Sequence, residues 1–141
     1  MTERLKNARK SILVVDDSVE ILTLINEILG DAYNVYLAKN VKTATNILAV
    51  NKIDLILLDL FLGDISGLDY LAVLKKKDTL KDIPVLMISS NSQLMNVSKS
   101  TRLGAKGYIV KPVNAVSLRD KIYTLFLDNI QHNAPGVPNA G

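Results

Sequence analysis

Five short apolar runs, each followed by a stretch of helical spacing, constrain the fold of this chain more than any other feature. Ser11–Val15 (SILVV) is apolar, β-branched and too short for a helix. Val19, Ile21, Leu22, Ile25, Ile28 and Leu29 then recur at helical spacing, and Gly30 is placed to stop that helix. Residues 33–38 read as a second strand, and Val41, Ala44, Thr45, Leu48 and Ala49 as a second helix. Residues 54–59 (DLILLD) form a near-continuous apolar run closed by a carboxylate, the pattern of a central strand covered on both faces. Leu68, Leu71, Ala72 and Leu74 mark a third helix. It runs out into Lys75, Lys76 and Lys77, whose charge suits a helix C-terminus and needs no partner. Residues 83–89 read as a fourth strand, with Pro84 near its start, where a ladder donor is dispensable. A weaker, polar helix over 92–103, a strand over Gly107–Val110 and a helix marked by Val116, Leu118, Ile122, Leu125 and Phe126 complete the series.

This alternation implies an α/β fold. Right-handed crossovers would build one parallel, doubly wound sheet with helices on both faces. The expected organisation is a basic leader over 1–10, one domain over 11–130, and a disordered tail or linker start over 131–141, where Pro135, Gly136, Pro138 and Gly141 show no periodicity. The length, 141 residues, suits a single domain. The absence of cysteine excludes disulfides, cysteine-ligated metals and cysteine nucleophiles, and a single histidine, His132, excludes a multi-histidine metal site. The formal net charge of +3 is that of the leader alone, where Arg4, Lys6, Arg9 and Lys10 face Glu3. The basic pI is therefore weak support for a nucleic-acid partner. No apolar stretch is long enough to span a membrane, and the chain reads as soluble and cytoplasmic.

In parallel sheets ligands bind beyond the carboxyl ends of the strands. Asp16 and Asp17 follow the first strand, Asp59 closes the third, Ser89 and Ser90 end the fourth, and Lys111 then Pro112 follow the fifth. Three carboxylates and one ammonium sum to a charge of −2, and such crowding resists ionisation. A divalent cation would neutralise it, and an all-oxygen site of few carboxylates suits Mg²⁺, which keeps waters and shares its shell with phosphate. In that chemistry a carboxylate can act as nucleophile and form an aspartyl phosphate. The lysine and metal would neutralise the transferring oxygens, and the serine hydroxyl could donate to one of them.

These residues, in this order, together with GAKGYIVKP over 104–112 and GLDYL over 67–71, resemble the receiver domain of two-component response regulators, across about residues 10–128. The resemblance implies a flavodoxin-like (βα)5 fold with strand order 2-1-3-4-5. It implies Asp59 as the phosphoacceptor, charged by a sensor histidine kinase or a histidine phosphotransfer protein. Asp17, Asp59 and the Phe61 backbone carbonyl would ligate Mg²⁺, with Asp16 acting mainly through water. Lys111 would pair with Asp59 and then with the phosphoryl oxygens. Ser89 and Tyr108 would switch together and reshape the face of the fourth helix, fifth strand and fifth helix. That face would contact a downstream protein or a second copy. Lys111-Pro112 would be cis, an option that proline makes cheap. Phe61 and Asn91 would flank the water path, and an apolar Phe61 beside a base-free Asn91 predicts slow self-dephosphorylation.

The pattern departs from the family where Leu62 and Gly63 replace a common Met-Pro pair, so this loop is expected to be more mobile; Ser90 and Val41 also stand where other residues are usual. Each group also has a plainer reading. Asp16, Asp17 and Ser18 could simply cap the first helix, Tyr108 could be a fixed core aromatic, and Lys99, Arg102 and Lys106 could be a solvated face. Two rival functions are a haloacid-dehalogenase-like phosphohydrolase and an unphosphorylated scaffold. The first lacks its spaced D-x-D pair here, and the second is opposed by the full set of five groups. The chain is thus expected to be a switch rather than an enzyme, without a DNA-reading module.

Overall fold

The structure, a computed structural model, describes residues 9–63, 65–90 and 94–133. Its five strands are β1 (Ser11–Val15), β2 (Asn34–Ala38), β3 (Leu55–Asp59), β4 (Val85–Ser89) and β5 (Gly107–Val110). They form one parallel sheet in the order β2-β1-β3-β4-β5. Five helices alternate with them: α1 (Val19–Leu29), α2 (Val41–Val50), α3 (Gly67–Lys76), α4 (Leu94–Arg102) and α5 (Ala115–Asn133). This is the expected doubly wound, flavodoxin-like architecture.

Side-chain alternation along the strands explains the two layers of helices. Leu13, Val15, Ile56, Leu58, Val85 and Met87 point to one face, where α3 adds Tyr70, Leu71 and Leu74 and α2 adds Ala44. Ile12, Val14, Leu55, Leu57, Leu86 and Ile88 point to the other, against Leu22, Ile25 and Leu29 of α1 and Leu118, Ile122 and Phe126 of α5. The central strands β1, β3 and β4 are buried along their whole length, whereas the edge strand β5 leaves Val110 exposed. Such strands must be apolar on both sides, which is why DLILLD lacks polar alternation.

The boundaries differ from the sequence expectations in physically clear ways. Strand β4 starts after Pro84, which has no N–H for a ladder, though its carbonyl accepts from Ile56 N–H at 3.0 Å. Gly30 does cap α1, but with φ −62°, so its role there is not the left-handed one. Lys75 does find partners. Its ammonium donates to the carbonyls of Lys81 (3.0 Å) and Ile83 (2.9 Å), tying the end of α3 to the loop before β4. Burial pulls that amine below its ordinary pKa, helped by nearby Lys106 and opposed by Asp82. Helix α5 runs on to Asn133, so the first three residues of the expected tail are helical. The remaining tail and all of the leader before Arg9 lie outside the described residues. Among the described residues no helix is long and apolar enough to cross a membrane.

The burial pattern sets an expectation for stability. Leu57 is fully buried at the centre of the sheet. Leu57→Ala should lower the unfolding free energy by about 2–5 kcal/mol in urea titrations. Val50→Ala, at an exposed position, should change it by less than about 0.5 kcal/mol.

Candidate functional site: an acidic notch at the carboxyl edge of the sheet

The notch is built where backbone ladders run just past their strand ends. Asp16 N–H donates to the Ala38 carbonyl at 3.0 Å, continuing the pairing of β1 with β2. Lys111 N–H donates to the Ser89 carbonyl at 2.8 Å, continuing that of β4 with β5. Asp59 is the last residue of β3 and pairs in register with Ile88 of β4. The carboxylates of Asp16, Asp17 and Asp59 thereby gather with one oxygen of each within 4.8 Å of the others. Asp16 and Asp59 are buried, and Asp17 is exposed.

Lys111 is the cation inside this group. Its ammonium lies 2.8 Å from Asp16 Oδ2 and 3.6 Å from Asp59 Oδ2. Lys111 thus pairs with Asp59, as the resemblance implied, and more tightly with Asp16. Burial alone would lower the Lys111 pKa, but the Asp16 and Asp59 carboxylates outweigh it and the net shift is upward. The Asp59 carboxyl is pushed up to about 6, first by burial and then by Asp16, with a smaller push from Asp17. Lys111 and a hydrogen bond from the Phe61 backbone N–H pull the other way and do not cancel it. One lysine thus leaves the charge of three carboxylates undercompensated.

The capping alternative is decided locally. Ser18 caps α1, its hydroxyl accepting from Ile21 N–H at 3.3 Å. Asp16 Oδ1 accepts from Ser18 N–H at 2.9 Å, which orients the carboxylate into the notch. Asp16 Oδ2 is buried, and the Lys111 ammonium at 2.8 Å is its charged partner. Three carboxylates gathered around that one lysine fit a hard divalent cation such as Mg²⁺.

Other predicted residues fall around this centre. Ser89 is buried at the end of β4, one residue beyond the partner of Asp59. Tyr108 pairs in register with Met87 and packs half-buried on the same face. Ser89 and Tyr108 are thus diagonal neighbours on adjacent strands. Lys111-Pro112 is a cis peptide. Phe61 bridges to Ser66 and exposes 57% of its surface beside the notch. Asn91 lies outside the described residues. Gly63 has φ +79°, a conformation closed to proline, so this loop turns differently from one carrying Met-Pro.

One contributor was visible in sequence only as part of a motif. Gly67 opens α3 directly against β3, its N–H donating to the Leu60 carbonyl at 2.7 Å, and a Cβ there would overlap the Asp59 carbonyl oxygen. Only glycine lets α3 close on the backbone that carries Asp59.

Comparison with known proteins agrees with this geometry. A parallel sheet whose acids gather where the strand order reverses defines the class: a flavodoxin-like domain with its site at the switch point. The family model for the response regulator receiver domain matches residues 12–123, and the chain belongs to that family, which serves two-component signalling. It is 29% identical over 126 residues to chemotaxis protein CheY-3 of Vibrio cholerae, covering 88% of this chain and 97% of that protein. It is 32% identical over 114 residues to a probable cyclic di-GMP phosphodiesterase of Vibrio cholerae, covering 81% of this chain but only 26% of that much longer protein. The crystal structure of a CheY-like receiver domain protein from Methanospirillum hungatei superposes with a TM-score of 0.82 at 28% identity, over 89% of this chain and all of that one.

The raised Asp59 pKa carries a sign. A carboxyl whose folded pKa exceeds its unfolded value stabilises the fold at low pH and loses that contribution as pH rises through the folded pKa. In Mg²⁺-free buffer the melting temperature should therefore fall as pH rises from 4, most steeply near pH 5, and level off above about pH 6, relative to Asp59→Asn. The loss is at most roughly 3 kcal/mol at about 1.4 kcal/mol per pKa unit. Millimolar Mg²⁺ should flatten the difference. A wild type and variant that melt in parallel across this range would contradict the crowding described here.

Proposed function

We propose that this receiver domain is a phosphorylation-controlled switch with Asp59 as its phosphoacceptor. The observation that carries the reading is the Asp59 carboxylate itself, held at the end of the central strand between two acids and Lys111. In the proposed reaction an Asp59 oxygen attacks the phosphorus of a phosphohistidine on a sensor kinase or histidine phosphotransfer protein. The phosphorus–nitrogen bond breaks, the imidazole leaves with the bonding pair, and an acyl phosphate forms. Asp17, Asp59 and the Phe61 carbonyl would hold Mg²⁺, and Asp16 would hold its water. The bound ion would neutralise the phosphoryl oxygens.

Lys111 releases its contact with Asp59 and pairs with a phosphoryl oxygen, retaining Asp16 as its anchor. Ser89 donates its hydroxyl to the phosphoryl group, and Tyr108, its diagonal neighbour, turns inward with it. The face formed by α4, β5 and α5 then changes its contacts with a downstream protein or a second copy of the chain. In this reading the chain assists only its own phosphorylation and dephosphorylation and works in the cytoplasm.

Intact-mass measurement after incubation with acetyl phosphate tests the reading. A gain of one phosphoryl group that needs Mg²⁺ and is lost in Asp59→Asn is expected. Lys111→Ala should slow the gain strongly while leaving the notch acids in place. Failure to form any adduct in Mg²⁺, with the ion's binding confirmed, would favour an unphosphorylated scaffold instead. Dephosphorylation should be slow, because the Phe61 side chain hinders water, and Phe61→Asn should lose the phosphoryl group several-fold faster.

A further inference from the structure

The edge of the sheet opposite the notch carries an open track that the switch reading does not use. Its larger part is a cleft of about 530 Å³ between α2 and the loop that precedes β4. Leu48, Ile53, Leu80 and Ile83 give it an apolar floor, Lys52 and Lys77 stand at its walls, and no acidic residue lines it. A smaller cleft of about 250 Å³ shares Lys52 and continues past Arg9 and Lys10 at the start of β1.

Among the described residues none of Arg9, Lys10, Lys52 and Lys77 forms an ion pair. Arg9 donates to the Gly30 carbonyl at 3.3 Å, a contact that leaves its charge intact. Asp54, the acid in the smaller cleft, accepts from the Ser11 N–H at 2.8 Å and likewise keeps its charge, so only the larger cleft has a purely basic lining. The volume of the larger cleft lies within the range of ligand sites. Two open clefts that share Lys52 in their lining suit an extended chain better than a compact molecule.

We infer that this track docks an acidic peptide segment of a partner protein, with leucine-like side chains on the apolar floor and carboxylates against Lys52, Lys77, Arg9 and Lys10. Charge complementarity sets the sign of the partner, and the floor sets its alternation of acidic and apolar residues. Strand β3 separates the track from Asp59 by five residues, roughly 13–16 Å of extended chain. Docking here is therefore independent of the phosphorylation state.

Isotope-labelled full-length chain titrated with a fluorescein-tagged nonapeptide of Asp-Leu-Glu triplets tests the inference. Amide shifts should concentrate in residues 45–53 and 77–83, and Lys52→Glu with Lys77→Glu should weaken binding by roughly tenfold. Both positions are solvent-exposed, so the fold should survive, and circular dichroism checks that it does. Lys39→Glu with Lys42→Glu, at exposed positions elsewhere, should leave the affinity unchanged, as should Asp59→Asn. Equal weakening by the two pairs would reduce the track to nonspecific charge and overturn the proposal. So would binding of the Lys-Leu-Lys counterpart with the same strength. Tighter binding to vesicles containing anionic lipid, or to a DNA duplex, than to the peptide would assign the surface to a different partner class and overturn it as well.

Discussion

Crowding three carboxylates into a notch with a single lysine is the constraint around which the rest of this fold is arranged. Two unit charges about 4 Å apart repel by roughly 4 kcal/mol at the effective dielectric near a protein surface. Lys111 offsets part of this for Asp16 and Asp59, and the Asp59 carboxyl still rises to about 6. A flexible scaffold would relieve such repulsion by letting the acids part. Here the two buried acids and the lysine are fixed by backbone. Asp16 is pinned by its own N–H to β2 and by Ser18, Asp59 belongs to the β3 ladder, and Lys111 is tied to the end of β4.

That rigidity comes from the core. The three inner strands are apolar on both faces, so sliding one of them by a residue would turn its whole side-chain set toward the wrong layer of helices. Register at the carboxyl ends is thus set by packing deep in the sheet. Gly67 then lets α3 approach the Asp59 carbonyl more closely than any side chain would allow. The outer part of the site is built differently. Strand β5 is an edge with an exposed Val110, and Tyr108 is only half-buried. Parts expected to move are the parts that the core holds least.

How far the sequence revealed this arrangement depended on the range of the interactions. The strands and helices announced themselves because burial on two faces or one stripe leaves a periodic mark, as in DLILLD. The site residues were found because parallel strands deliver their carboxyl ends to one edge, so Asp16, Asp59 and Lys111 could be placed together before any coordinate. The Lys111–Asp59 pair was readable, but its rank beside Asp16 was not. That Lys111 lies nearer Asp16 than Asp59 depends on side-chain paths across three strands. Gly63 marks the loss of a rigid turn residue in sequence, and only the backbone shows that it sits in the left-handed region that proline cannot enter. Lys75 looked like a solvated end of a helix, and its contacts with the carbonyls of Lys81 and Ile83 arise from a loop fold that has no periodic signature.

The opposite polarity of the two sheet edges follows from the architecture itself. In a parallel sheet with helical crossovers, every helix begins near strand carboxyl ends and finishes near strand amino ends. Helix N-termini favour anions and C-termini favour cations. Acids at the notch and bases at the far edge are therefore each stabilised by the helix ends beside them. Arg9 and Arg119 show this directly, donating to the Gly30 and Ile28 carbonyls where α1 ends. Charge alone consequently does not mark a site at either edge. What marks the notch is three carboxylates gathered within 4.8 Å around a single lysine. What marks the far track is the apolar floor of its larger cleft, beneath Lys52 and Lys77 and lined by no acid. A helix end needs neither, and the two proposed occupants, a phosphoryl group with its cation at one edge and an acidic segment at the other, would each answer one of these features.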